Sequence, residues 1–191
     1  MFRLVYFPLL LIGLFLFACK SDQTANDKVQ ASESAPVEVT LPDDGGPSTL
    51  EAVKAYGDSI DAVLSGLTSR GPVPVPVGPD IFQGTAYSSA DGTPLLLYCE
   101  RNGVEQWYYL YKRRITQFRD RRPGKKQVEE QRWYYTFREP VHGQRLVAAD
   151  AKGLKGATPK EIAVGDIEPY YTLGEVTIRV MEILFGRMPK Q

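Results

Sequence analysis

Two ten-residue stretches echo each other: "EQWYYLYKRR" at residues 105–114 and "EQRWYYTFRE" at residues 130–139, with Trp107 and Trp133 lying 26 residues apart. Aromatic side chains at this density suit a pleated, half-buried strand better than a helix. Two copies fall short of a repeat architecture, which needs at least three units to bury a continuous core. They fit the two arms of one hairpin. Folding about Pro123 would set Trp107, Tyr109 and Tyr111 on the same face as Trp133, Tyr135 and Phe137, since side chains alternate and register preserves the face.

The flanking sequence extends this into an antiparallel sheet. "IFQGTAY" from Ile81, then "LLLYCE", read as strands, and Asn102-Gly103 is a strong two-residue hairpin signal. A long strand is expected over residues 104–118, a turn at "DRRPGKK", a return over residues 127–138, and a fifth strand at "QRLVAA". Leu95, Leu97 and Cys99 would face one side with Tyr108 and Leu110, so both sides of the sheet are apolar and both need cover. Two helices are available for this. Residues 48–70 open with Ser48 and Glu51 in capping-box spacing, and Leu50, Val53, Ile60, Val63, Leu64 and Leu67 follow at helical intervals. Near the C-terminus, "VTIRVMEILFG" is β-branched, yet Glu175, Arg179 and Glu182 share a helical face and Thr172 with Glu175 repeats the capping spacing, so a helix is expected. Between the first helix and the sheet, "GPVPVPVGP" in residues 71–80 reads as a stiff extended spacer, and "TPKE" as a short helical turn. The predicted class is α+β: a meander of about five strands with one helix before it and one after, residues 81–191 packing with the helix.

Upstream of the helix the composition changes. Residues 4–18 are apolar, broken by Pro8 and Gly13 and preceded by Arg3. As a helix they span about 22 Å, short of a bilayer's roughly 30 Å hydrocarbon core. A basic start and a brief apolar stretch are the layout of a signal peptide, here residues 1–18. Its end, Leu16-Phe17-Ala18-Cys19, resembles the lipobox of bacterial lipoproteins. The resemblance covers about twenty residues and implies cleavage before Cys19, lipidation of its sulfur, and attachment to an envelope membrane; two or more acyl chains make such attachment stable. Lys20, where an aspartate would resemble a retention signal for the inner membrane, favours the outer membrane. Residues 21–47 are rich in Ser, Asp, Glu, Pro and Ala and lack aromatics, so residues 19–47 are expected to be a lipidated cysteine and a disordered tether with a reach of roughly 30 Å.

The formal charge is zero, but it is unevenly spread. Residues 20–61 hold nine acidic and three basic side chains, whereas residues 112–126 hold eight basic ones against Asp120 alone. Arg113, Arg114, Arg119, Arg121, Arg122, Lys125 and Lys126 are therefore the candidate binding residues, at the expected hairpin tip beside Trp107 and Trp133. An anionic lipid, lipopolysaccharide or an acidic envelope protein would suit them. Nucleic acid is not expected for an exported domain. The alternative binding function is recognition of glycan or peptidoglycan through an exposed Trp107 or Trp133.

Catalytic signals are weak. No phosphate loop, nucleophile elbow or metal-ligand spacing occurs, so no metal or cofactor is expected. Asp43-Asp44 lie in the tether, and Glu129-Glu130 point to opposite strand faces. A thiol hydrolase built from Cys99, His142 and Asp150 requires a reachable Cys99, which instead reads as a buried apolar strand residue. The expectation is a non-catalytic envelope lipoprotein binding through a basic, aromatic hairpin.

Overall fold

A computed structural model describes residues 45–77, 79–167 and 169–186. Cys19, the expected signal peptide and the expected tether, up to residue 44, lie outside the described residues. An α-helix, α1 (Leu50–Val63), precedes eight strands: β1 (Thr68–Val77), β2 (Asp80–Ser88), β3 (Pro94–Arg101), β4 (Val104–Tyr111), β5 (Arg114–Pro123), β6 (Val128–Thr136), β7 (Glu139–Ala148) and β8 (Lys160–Ile162). A second helix, α2 (Tyr170–Phe185), closes the chain. The strands form one antiparallel sheet in chain order, so the class is α+β and the sheet a meander of eight strands, where the sequence predicts about five.

The additional strands have identifiable causes. The expected long strand over residues 104–118 is two strands, β4 and β5, joined at Lys112-Arg113, both with positive φ (45° and 67°). Phe137-Arg138 makes the same kind of turn between β6 and β7 (48° and 76°). Positive φ at both central positions matches the right-handed twist of the flanking strands, but asparagine and glycine normally supply it. "TPKE" contributes to strand β8 rather than a helical turn.

The expected spacer at residues 71–80 lies largely within edge strand β1, which pairs with β2 from Thr68↔Ser88 to Val77↔Asp80. Val73 and Val75 pack into the core, whereas Pro72, Pro74 and Pro76 are exposed. N–H groups alternate in direction along a strand, so the valines donate to β2 and the prolines occupy positions aimed at the free edge. Along the proline stretch that edge offers carbonyls without donors, which makes it a poor template for another strand. Pro74→Thr with Pro76→Thr restores two donors, and the expected result is self-association. Light scattering behind size exclusion checks it; a monodisperse monomer at high concentration would refute this account of the prolines.

Each face of the sheet has its own helix. Adjacent Leu96 and Leu97 are both buried, which strand alternation permits only when both faces are covered; Leu95, expected on the face of Leu97, falls at the register shift between β2 and β3 and packs with Leu96 instead. One cluster joins Leu97, Cys99, Tyr108, Phe118, Trp133 and Tyr135 to Leu173, Val180 and Met181 of α2. The other joins Leu95, Leu96, Tyr109 and Tyr111 to Tyr56 and Ile60 of α1. Helix α2 touches β1, β2 and β5. Strands β1 and β5 would stand about 19 Å apart in a flat sheet, a span within the roughly 24 Å length of the sixteen-residue α2. Tertiary packing makes this β-branched segment helical: Leu173, Thr177, Val180 and Met181 repeat at helical spacing and are buried. The expected Thr172–Glu175 box is not used, because the helix starts at Tyr170 after Pro169. Helix α1 is capped by Thr49, one residue after the expected Ser48, whose side chain accepts from Ala52 N–H at 3.2 Å. It lies close on the sheet at Gly57, where an added Cβ would meet the Gln117 amide oxygen at 2.1 Å.

Candidate functional site

The basic segment does not form one tip. Strand β5 runs about 30 Å from the Arg113-Arg114 turn to the Lys125-Lys126 turn, placing them at opposite ends of the sheet. The two tryptophans do not share a face either. Trp107 pairs with Arg119, and Arg119 with Arg132, so the position aligned with Trp107 on β6 is the residue before Trp133. This one-residue offset flips the face. Trp133 stacks on Phe118 at 5.0 Å on the α2 side and is 8% exposed. Trp107 lies on the α1 side, half-buried between Tyr98 at 5.4 Å and the Arg121 guanidinium at 4.7 Å.

Three of the expected binding arginines are engaged inside the domain. Glu130 is fully buried on the α1 face and accepts from Arg121 (3.0 Å from Nε, 2.8 Å from Nη2) and from Arg132 Nε at 2.6 Å. Arg121 also donates to Glu105 at 3.1 Å, and Tyr98 donates to the same carboxylate at 3.0 Å. Arg119 lies over the Tyr109 ring at 5.0 Å and donates to Asp61 of α1 at 3.0 Å. Tyr109 donates to Asp61 at 2.6 Å; burial raises its pKa above the ordinary phenol range, so it stays a neutral donor. This belt clamps α1 to β4, β5 and β6. On the other face, Arg122 is held by Asp120 at 2.6 Å. Lys125 and Lys126 are exposed in the β5–β6 turn.

Among the described residues, the arginines outside any ion pair are Arg70, Arg113, Arg114 and Arg138. Arg70 lies over the Phe185 ring. The other three converge on a cleft of about 750 Å³ between the β4–β5 and β6–β7 turns and the start of α2. Tyr170, Tyr171, Ile178 and Pro140 supply its apolar wall, and Glu139 and Glu175 also line it. Tyr170 fixes the helix start by accepting from Ile115 N–H at 3.1 Å. Residues 45–47 lie beside Arg114, Phe137 and Arg138 at this same end. Left-handed backbone costs a non-glycine residue about 1–2 kcal/mol, so four such residues in two turns are a sizeable local penalty. Strain of this kind concentrates at functional sites. Sequence reasoning places Phe137 on the aromatic face of the hairpin, whereas it sits exposed in the β6–β7 turn, and it does not single out Arg138, Tyr170 or Tyr171. One signal was available: a fifteen-residue strand over residues 104–118 exceeds the usual 3–10.

The thiol constellation is not assembled. Cys99 and His142 stand on opposite faces, four strands apart, with His142 against the Tyr134 ring at 5.7 Å. Burial pushes the Cys99 thiol up to about 12. A raised thiol pKa stabilises the fold below the unfolded value near 9, and that contribution is lost as pH climbs towards 12. A neutral-pH thiol reagent should therefore label Cys99 only in denaturant; rapid labelling of native protein would contradict the burial. Among the described residues no cluster of three or more His, Cys, Asp or Glu is arranged to hold a metal, and no helix is long and apolar enough to cross a membrane. Comparison with known families, curated proteins and solved structures finds no match to the chain.

Proposed function

We propose that the chain is a non-catalytic lipoprotein of the bacterial envelope, held by lipid on Cys19 at the outer membrane, and binding an anionic envelope partner through its basic end. The observation that carries this reading is the division of labour among the arginines. Arg119, Arg121 and Arg122 meet carboxylates inside the domain, while Arg113, Arg114 and Arg138 converge on a cleft with no ion pair of their own among the described residues. The separation of Cys99 from His142 supports binding over thiol chemistry.

The test has two arms. Mass spectrometry of the protein from native membranes should find a diacylglyceryl-modified Cys19 at a new N-terminus; an unmodified Cys19 rejects the anchor. Crosslinking in cells should recover an anionic partner with wild type and lose it with Arg113→Ser, Arg114→Ser and Arg138→Ser combined. Recovery of the same partner by both rejects the basic end as the site. Substituting Arg119 and Arg121 instead would leave buried Glu130 with Arg132 alone and report on folding, not binding.

A further inference from the structure

We infer that the Arg113–Arg138 end is a docking surface for an anionic phospholipid bilayer, with a headgroup phosphate seated among the three arginines and Phe137, Tyr171 and Ile178 in the headgroup–acyl boundary. The inference deepens the lipoprotein reading and takes from it the presence of a membrane close by. Three independent observations meet here. The first is charge: Arg113, Arg114 and Arg138 lack ion pairs among the described residues and Lys112 is exposed beside them, against Glu139 and Glu175 in the cleft wall. Arginine forks suit phosphate oxygens. The second is exposed apolar surface. Tyr171 is 72% exposed, Phe137 63% and Ile178 61%, all bordering the arginines. Aromatic residues next to cations are the composition that partitions into the membrane interface. The third is connectivity. Residues 45–47 pack beside Arg114, Phe137 and Arg138, so the chain coming from Cys19 joins the domain at this end. A tether arriving there presents this surface, and not the Lys125-Lys126 end, to the anchoring leaflet.

The test uses the full chain, extracted from membranes and reconstituted into vesicles of phosphatidylcholine alone or with phosphatidylglycerol. Buried Cys99 and lipidated Cys19 leave an introduced thiol selectively reactive. A polarity-sensitive dye is placed at Phe137→Cys, and in a second preparation at Lys126→Cys. Expected is a brighter, blue-shifted dye at position 137 on phosphatidylglycerol vesicles only, no change at position 126, and reversal in 1 M salt. An anionic leaflet favours each nearby arginine by a factor of about five, so R113S/R114S/R138S should lower the docked-to-undocked ratio on the order of 100-fold. Equal signals on neutral and anionic vesicles, an equal response at position 126, or indifference to both salt and the triple variant would overturn docking. Flotation with neutral vesicles reads the anchor separately. A chain that fails to float there refutes the Cys19 anchor, while the dye on anionic vesicles still decides whether the surface docks.

Discussion

Glu130→Ala should destabilise the domain by about 3–5 kcal/mol, the range for removing one partner from a buried ion pair. Native domains hold only about 5–15 kcal/mol, so this one change would consume much of the margin. Glu130 has no solvent exposure and is the shared acceptor for Arg121 and Arg132, with Arg119 Nε at 4.0 Å. Without it, three guanidinium groups that are 12–26% exposed face one another with only Asp61 and Glu105 nearby. Water cannot replace the carboxylate cheaply there. Urea unfolding followed by circular dichroism reads the loss directly. The same geometry predicts an asymmetry: Arg121→Met should cost clearly less than Glu130→Ala, because Arg132 continues to neutralise the buried carboxylate. Equal losses would mean that the belt is solvated and contributes little.

Phe118→Ala should cost a similar amount, about 3–5 kcal/mol, for a different reason. Phe118 is 2% exposed and sits between Tyr108 at 4.8 Å and Trp133 at 5.0 Å, the middle ring of a row across β4, β5 and β6. Its removal forfeits apolar transfer, leaves a cavity between rings anchored on separate strands, and breaks two aromatic contacts worth about 0.5–1.5 kcal/mol each beyond burial. Phe118→Leu, which keeps most of the volume, should lose less than half as much. Trp133 emission should move to the red as its covering ring is lost. An unshifted emission with a loss below about 1 kcal/mol would show that the sheet collapses onto the gap.

The two predictions concern opposite faces of β5, and the sequence carries only part of that arrangement. Asn102-Gly103 announces its own turn because both residues tolerate positive φ, and it appears where expected, with φ of 52° and 77°. Lys112-Arg113 and Phe137-Arg138 have no such local preference. They adopt the same backbone only because pairing of β4 with β5 and β6 with β7 offsets the cost, and that pairing is tertiary. The cleft was illegible for the same reason: Arg114, Arg138 and Tyr170 belong to three elements brought together by two unannounced turns and one helix start.

By itself the sequence determined what short-range chemistry can encode. Apolar residues at helical intervals, Val53 and Ile60 among them, specify a helix, and apolar residues on both strand faces, Leu97 and Cys99 on one and Tyr109 and Tyr111 on the other, specify a sheet covered on both sides. Only the tertiary structure decided which helix covers which face, that the alternating prolines line an edge strand, and which arginines remain available. Arg119 is held by Asp61, 58 residues earlier, and Arg121 by Glu130 across the neighbouring strand. Charge along a chain says how many cations there are. Register says which of them already face a carboxylate, and a slip of one residue reverses the answer.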